Sequence, residues 1–226
     1  RYRRLRVWPR SVEEKARRRL SLRFRHLIWT VGLALIAPAL CSFSDARAGE
    51  ALITNQLDDS LTVVDTDTMK AIADLKLSGK PAGIALSGDK SRAYVTAPDG
   101  KELFEIDAVA RTVVRKLKFE GGPLGVAANP VTSEVYVADW YTHDIAVVDG
   151  AGLTVVASIP VGQSPSGLAV TPDGKRLISA DRDSDQISII DVPTRAVVAT
   201  VATGKRPFGV TIDADGRTAY TANVAS

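Results

Sequence analysis

One cysteine and two histidines are all that this 226-residue chain holds of two side chains widely used for redox chemistry and for proton transfer near neutral pH. The cysteine, Cys41, follows Leu40, where a lipid-attachment site wants a small residue. If the chain is cut after Ala48, the remainder has no thiol, and so no disulfide, thiolate nucleophile or thiolate metal ligand. It then keeps one imidazole, His143, and a lone histidine is a poor metal site and a poor base without a nucleophile beside it. A 3.6-residue apolar period is missing from residues 49–226, which excludes a helical solenoid. Basic charge is missing there too. Residues 1–48 carry 12 Lys and Arg against 3 Asp and Glu, leaving 17 against 23 in residues 49–226, a net charge of −6. That balance excludes the basic face of a nucleic-acid binder.

What residues 1–48 do contain has a recognisable order. Arg17-Arg18-Arg19, Arg23 and Arg25 form a cationic region, Leu27 to Leu40 is a mostly apolar run of 14 residues, and Ala46-Arg47-Ala48 is a small-x-small cleavage pattern. This predicts a helical signal peptide over 1–48 with an extended basic n-region, and a periplasmic or secreted body that meets the membrane only during export. The apolar run falls short of the ~20 residues a membrane span needs.

The body repeats every 42 residues. Asp65, Asp107, Asp149 and Asp191 close the runs "LTVVD", "LFEID", "IAVVD" and "ISIID". Pro81, Pro123, Pro165 and Pro207 share that spacing, as do Gly83, Gly125, Gly167 and Gly209. A third series, "LITN", "YVTA", "YVAD", "ISAD" and "YTAN", begins at 52, 94, 136, 178 and 220. Each unit holds four short runs rich in Val, Ile and Tyr, bounded by Gly, Pro, Asp and Asn, with "PDGK" (172–175) and "ADGR" (214–217) as tight turns. Four strands in about 40 residues is the period of a β-propeller blade. The fold class is therefore all-β, with the small residues Gly83, Gly125, Gly167 and Gly209 on the innermost strands, where the taper leaves little room. Larger apolar residues, Ile72, Val114, Val156 and Val198, then Leu75, Leu117, Ile159 and Val201, are expected to fill the outer strands.

The pattern P-x-G-[IVL]-A, then D-G-[KR]-x-x-Y-V-[TA]-[ND], then a run ending V-[VI]-D, resembles the YVTN family of β-propeller repeats over essentially all of 50–226. The resemblance implies an exported, seven-bladed protein with no catalytic site in the repeat itself. It also implies an association, in some relatives, with quinone-dependent dehydrogenase systems. The repeat units fall at about 50–81, 82–123, 124–165, 166–207 and 208–226, which makes about four and a half blades. The first unit lacks its innermost strand and the last holds only two strands. The expectation is therefore an N-terminal fragment, a partial β-propeller of a seven-bladed ring, with 49–226 as its body.

Candidate function sits on the face formed by the loops between the second and third strands of each blade and between successive blades. Asp139-Trp140-Tyr141-Thr142-His143-Asp144 is the busiest stretch, with Asp181, Arg182, Asp183, Arg206 and Phe208 as its expected neighbours. Aromatics beside charges on a loop face suit a binding site, so Trp140, Tyr141, His143, Asp181, Arg182, Arg206 and Phe208 are the candidate contact residues. The bland alternative has Trp140 and Tyr141 covering the edge of the next blade. "DRDSDQ" (181–186) loosely resembles a calcium loop but lacks the Gly and distant Glu of an EF-hand, so no metal is expected. The repeated Asp residues read as turn formers, and the repeated Pro and Gly as turn and packing residues. Glu105 stands where Val63, Val147 and Ile189 stand elsewhere, marking a polar pocket or a surface that the next blade fails to cover. The reading that follows is a non-enzymatic scaffold with no cofactor that binds an unknown periplasmic protein or small ligand. The competing reading is a propeller enzyme of lactonase or lyase type, with its catalytic residues mainly in further blades.

Overall fold

A computed structural model of the chain describes residues 2–6 and 49–226. The expected signal peptide lies outside the described residues except for Tyr2–Arg6. The strand β1 (Tyr2–Arg6) pairs with the last strand of the chain, as described below. Three sheets have four antiparallel strands in sequence order. They are β5 (Ile84–Leu86), β6 (Arg92–Ala97), β7 (Glu102–Asp107) and β8 (Thr112–Lys118); then β9 (Pro123–Ala128), β10 (Glu134–Asp139), β11 (Asp144–Asp149) and β12 (Thr154–Pro160); then β13 (Pro165–Val170), β14 (Arg176–Asp181), β15 (Gln186–Asp191) and β16 (Ala196–Ala202). A three-stranded sheet precedes them, β2 (Glu50–Asn55), β3 (Ser60–Asp65) and β4 (Lys70–Lys76). A second follows, β17 (Pro207–Ile212) and β18 (Thr218–Asn223), with β1 antiparallel to the free edge of β18. No α-helix occurs among the described residues. The arrangement is an incomplete β-propeller.

Each turn's chemistry explains its path. Gly174 and Gly216, the glycines of "PDGK" and "ADGR", have φ of 71° and 73°, in the left-handed region. The repeated Asp at the end of each third strand folds the next turn over its carboxylate: Asp65 accepts the N–H of Thr68 at 2.7 Å and Asp107 that of Ala110 at 2.8 Å. These bonds hold both carboxyls below the usual carboxylate range.

The core lies between blades. Leu61 and Leu77 of the first blade pack on Ala93, Val95 and Phe104 of the second. Tyr94 and Leu103 pack on Val126, Val135 and Val137 of the third. Tyr136, Ile145 and Ile159 pack on Leu177 and Ile190 of the fourth. Alternate residues of one strand therefore serve opposite neighbours, which is why the middle strands read as continuous apolar runs.

The inner-strand glycines answer to the same stacking. A Cβ on Gly83 or Gly125 would enter the carbonyl oxygen of Leu124 or Ser166 in the next blade, and one on Gly167 would lie 2.5 Å from that of Phe208. Side chains pin the same approach: Thr54 donates to the Ala82 carbonyl at 2.9 Å, Thr96 to that of Leu124 at 2.5 Å and Ser166 to that of Phe208 at 2.9 Å.

The outer strands correct one expectation. Ile72, Val114, Val156 and Val198 do not fill the blade. The pairing of each outer strand skips one residue, so that Glu105 faces Arg115 while Ile106 faces Val113. The same slip leaves Ile72, Val156 and Val198 unpaired in their own sheets. These are β-bulges, and the bulged residues stand 41 to 54% exposed. Leu75, Leu117, Ile159 and Val201 do face the core.

Glu105 is a buried polar pocket that joins two blades. It is 3% exposed and paired with Arg92 at 3.4 Å and Arg115 at 2.6 Å. Arg115 also donates to the carbonyls of Gly150 and Ala151 in the third blade, at 3.0 and 2.9 Å. Further round, Asn129 donates to the Gly174 carbonyl at 3.0 Å and Arg195 to Glu134 at 3.0 Å, tying the third blade to the fourth.

Candidate loop-face binding site

Two sets of side chains shape the loop face before any ligand is considered. The first set ends the second strand of a blade. Asp139 is buried and accepts the N–H groups of Gly122, Tyr141 and Thr142 at 2.9, 3.0 and 3.2 Å. Asp181 is fully buried and accepts from the Gly162 N–H at 3.1 Å and from the hydroxyls of Ser179 and Ser188 at 2.8 and 2.6 Å. Each acid thereby holds the loop that enters its own blade.

The second set holds the loop that leaves. Asp59, His143 and Asp185 share one place in the repeat, all with left-handed backbone. Asp59 accepts the N–H of Lys80 at 2.9 Å, His143 Nδ1 that of Ser164 at 3.0 Å and Asp185 that of Arg206 at 2.8 Å. Lys101, at the same place, reverses the polarity and donates Nζ to the Glu120 carbonyl at 2.8 Å. As an acceptor, His143 Nδ1 carries no proton, so Nε2 carries it. The salt bridge to Lys205 at 2.5 Å, then the Arg206 N–H, hold the Asp185 carboxyl below the usual carboxylate range.

On this frame the aromatics gather. The Arg182 guanidinium lies 5.2 Å from the centre of the Trp140 ring, a cation–π contact, and Phe208 approaches the same ring at 6.4 Å with a 56° tilt. These three residues come from the third, fourth and fifth blades. Arg182 is also paired with Asp183 at 2.7 Å. Tyr141 has its ring seated over Gly122, where a Cβ would come within 2.7 Å of the ring. It is 73% exposed and Phe208 is 43% exposed. Arg206 is exposed and lines a depression with Asp183, Asp185, Lys205 and Ala225.

Of the residues singled out in the sequence, the structure brings together Trp140, Arg182 and Phe208, with Arg206 nearby on the loop that leads to Phe208. It separates two others. Asp181 is a correction: its carboxylate turns into the blade and is spent on buried donors, so it offers nothing to a surface ligand. His143 is on the face, but its Nδ1 is committed to the backbone. The acids of "DRDSDQ" diverge, Asp181 inward, Asp183 to Arg182 and Asp185 to Lys205, and they make no calcium cage. Among the described residues no group of three or more His, Cys, Asp or Glu is placed to hold a metal ion. Sequence reasoning missed Asp185 as an organiser, although its 42-residue spacing from His143 was a usable signal.

Comparison with known proteins adds to the geometry. The model of the YNCE-like beta-propeller family matches residues 128–217. The fold is similar to that of Kuenenia stuttgartiensis hydrazine synthase, with a TM-score of 0.68 and 24% identity over 74% of this chain and 50% of that one. It is also similar to a functionally unknown protein from Desulfotomaculum acetoxidans DSM 771, with a TM-score of 0.69 and 15% identity over 76% and 58%. The chain is a β-propeller repeat protein. A third structure, the beta-propeller domain of Myceliophteria thermophila Cps50 (Swd1), superposes with a TM-score of 0.64 and 15% identity over 77% of this propeller and 62% of that chain. The propeller spans between half and about three fifths of the length of these structures. No curated protein matches it.

Proposed function

We propose that this propeller is an exported, non-enzymatic scaffold that receives a partner protein or small ligand on its loop face. The observation that carries the reading is the group Trp140, Arg182 and Phe208, drawn from three blades, with Tyr141 and Phe208 open to solvent. Aromatic rings and arginine dominate binding energy at interfaces: the rings desolvate large areas with few rotatable bonds, and the planar guanidinium adds stacking and hydrogen bonding in one group. Here they stand on turns already fixed by Asp139, Asp181 and Asp185, so binding need not order the loops first. The order of features in residues 1–48 supports the periplasmic or secreted location. A role beside a quinone-dependent periplasmic dehydrogenase system rests on the repeat's resemblance to the YVTN family. The enzyme reading has no observation among the described residues to carry it.

The test compares the immobilised whole chain with its Tyr141→Ala/Phe208→Ala variant, each exposed to a periplasmic extract, with bound proteins quantified by mass spectrometry. Both side chains are exposed, so the thermal melt should be unchanged. Retention of a defined set of proteins should fall by about tenfold, the equivalent of ~1.4 kcal/mol. Equal retention by the two proteins would overturn the reading.

A further inference from the structure

The loops that lead into the second to fifth blades share one place in the repeat, held by Lys80, Gly122, Ser164 and Arg206. Two residues further on stand Ala82, Leu124, Ser166 and Phe208. Of these four loops only the last joins a cation to an aromatic ring. Arg206 and Phe208 are exposed, and Pro207 between them is buried. Their Cα atoms are at most about 7 Å apart. The backbone here is fixed: Asp185 accepts the Arg206 N–H at 2.8 Å, the Arg206 carbonyl accepts the Val224 N–H at 3.0 Å and the Phe208 carbonyl accepts the Ser166 hydroxyl at 2.9 Å. The guanidinium of Arg206 is not. Among the described residues no acid pairs with it, and the second oxygen of Asp185 is taken by Lys205.

The other surface charges around it are spent on one another. Arg182 pairs with Asp183 at 2.7 Å and Lys205 with Asp185 at 2.5 Å. Three cations thus stand against two acids at the surface, and the charge left over is that of Arg206. This remainder selects a ligand with a single negative charge. A planar guanidinium meets a carboxylate through two parallel hydrogen bonds, whereas the second charge of a phosphate would face Asp183 and Asp185. Four of the five residues lining the depression at Arg206 are charged, and pockets that enclose small molecules are mostly apolar. The apolar surface lies outside the depression, on Phe208 and on Trp140, whose ring is 6.4 Å from it. A ligand that reaches both carries its acid and its apolar group side by side, as nearby residues of a protein segment do.

We infer that the loop face takes an acidic segment of a partner protein, with one Asp or Glu carboxylate on the Arg206 guanidinium and an apolar side chain within two residues of it on Phe208. This rests on the loop-face reading above and gives its partner a chemistry. The two contacts do different things. The ring supplies affinity and accepts any apolar residue, while Arg206 rejects segments that bring a cation or a second negative charge.

The experiment selects short random peptides, displayed on phage, against the immobilised whole chain. Enriched peptides should hold Asp or Glu within two residues of Leu, Ile, Phe, Tyr or Trp. The same selection on Arg206→Glu should keep the apolar residue and replace the acid by Lys or Arg. For one enriched peptide, Arg206→Glu should raise Kd by at least about tenfold and Arg206→Gln by a smaller factor, while Lys80→Glu, in the loop that has Ala82 in place of the ring, should leave it unchanged. Circular dichroism checks that each variant folds. Changing the peptide's Glu to Gln should cost about tenfold against the unaltered chain and nothing against Arg206→Gln. Apolar peptides without an acid, bound through Phe208 and indifferent to Arg206→Glu, would overturn this inference and leave the loop-face reading standing. Tighter binding of a phosphoserine peptide, or displacement of the peptide by N-acetylglutamate alone at equal concentration, would also overturn it. Enriched peptides indifferent both to Arg206→Glu and to Tyr141→Ala/Phe208→Ala, or no enrichment at all, would overturn the inference and the loop-face reading together.

Discussion

The third and fifth blades use the same repeat under different constraint. Gly125, in the third, faces the inner strand of the fourth so closely that a methyl group would enter the Ser166 carbonyl. Gly209, in the fifth, stands at the same place with no blade beyond it among the described residues, and the nearest atom to a built Cβ is 3.7 Å away. The fourth blade and the fifth differ in the same sense at the end of the second strand. Asp181 has every oxygen occupied, whereas Asn223 Oδ1 and the Thr221 hydroxyl are buried without a partner. The difference teaches that the repeated letters are dictated less by the strand that carries them than by the blade stacked against it.

Substitution breaks the comparison open. The largest effect is expected at the inner strand. Gly125→Ala should lose about 3 kcal/mol or more of stability, because backbone rather than a flexible side chain is in the way. Gly209→Ala should stay within about 0.5 kcal/mol, and equal midpoints in urea for the two variants would show that stacking is not what selects the glycine. Next comes the acid at the end of the second strand. Asp181→Ala leaves the Gly162 N–H and two buried hydroxyls without their acceptor and should cost about 2–3 kcal/mol, against less than about 1 kcal/mol for Asn223→Ala. Thermal melts of both variants, taken side by side, read this difference. The smallest effect sharpens the role of the only histidine in the described residues. His143→Asp puts there the residue that Asp59 and Asp185 already supply, and it should be neutral within about 0.5 kcal/mol. His143→Ala removes the acceptor for the Ser164 N–H and should cost about 1 kcal/mol. Hydrogen exchange at Ser164 is the direct probe: faster in His143→Ala, unchanged in His143→Asp. A slow Ser164 amide in both variants would remove the histidine from this role.

Much of the architecture is legible in the sequence because stacking stamps the same requirement on the chain every 42 residues. The Gly of "PLG", the turn glycines at 174 and 216 and the Asp closing each third strand all report a backbone need, and such needs repeat. The bulges were not legible. Val113 and Val114 are chemically alike, and only the cross-strand register shows that Val114 is the unpaired one and faces water. Asp181 misled for the opposite reason, since an acid at the edge of "DRDSDQ" resembles its exposed neighbours until Ser179 and Ser188 are seen to point at it. Trp140, Arg182 and Phe208 lie far apart in sequence, and their meeting depends on the pitch between blades, which no single repeat encodes. Glu105 stood out only as an exception, and its meaning needed Arg92, Arg115 and the third blade together.

The left-handed turn between second and third strands has one more consequence. Asp59, Lys101, His143 and Asp185 hold φ of 48°, 53°, 61° and 53°, so an acid, an amine and an imidazole all ride on one backbone shape. Backbone shape and side-chain charge are uncoupled at these tips, so long as the side chain still bonds the loop that leaves the blade. Selection can therefore rewrite what the face says to a partner, one blade at a time, without redrafting the frame on which it is written.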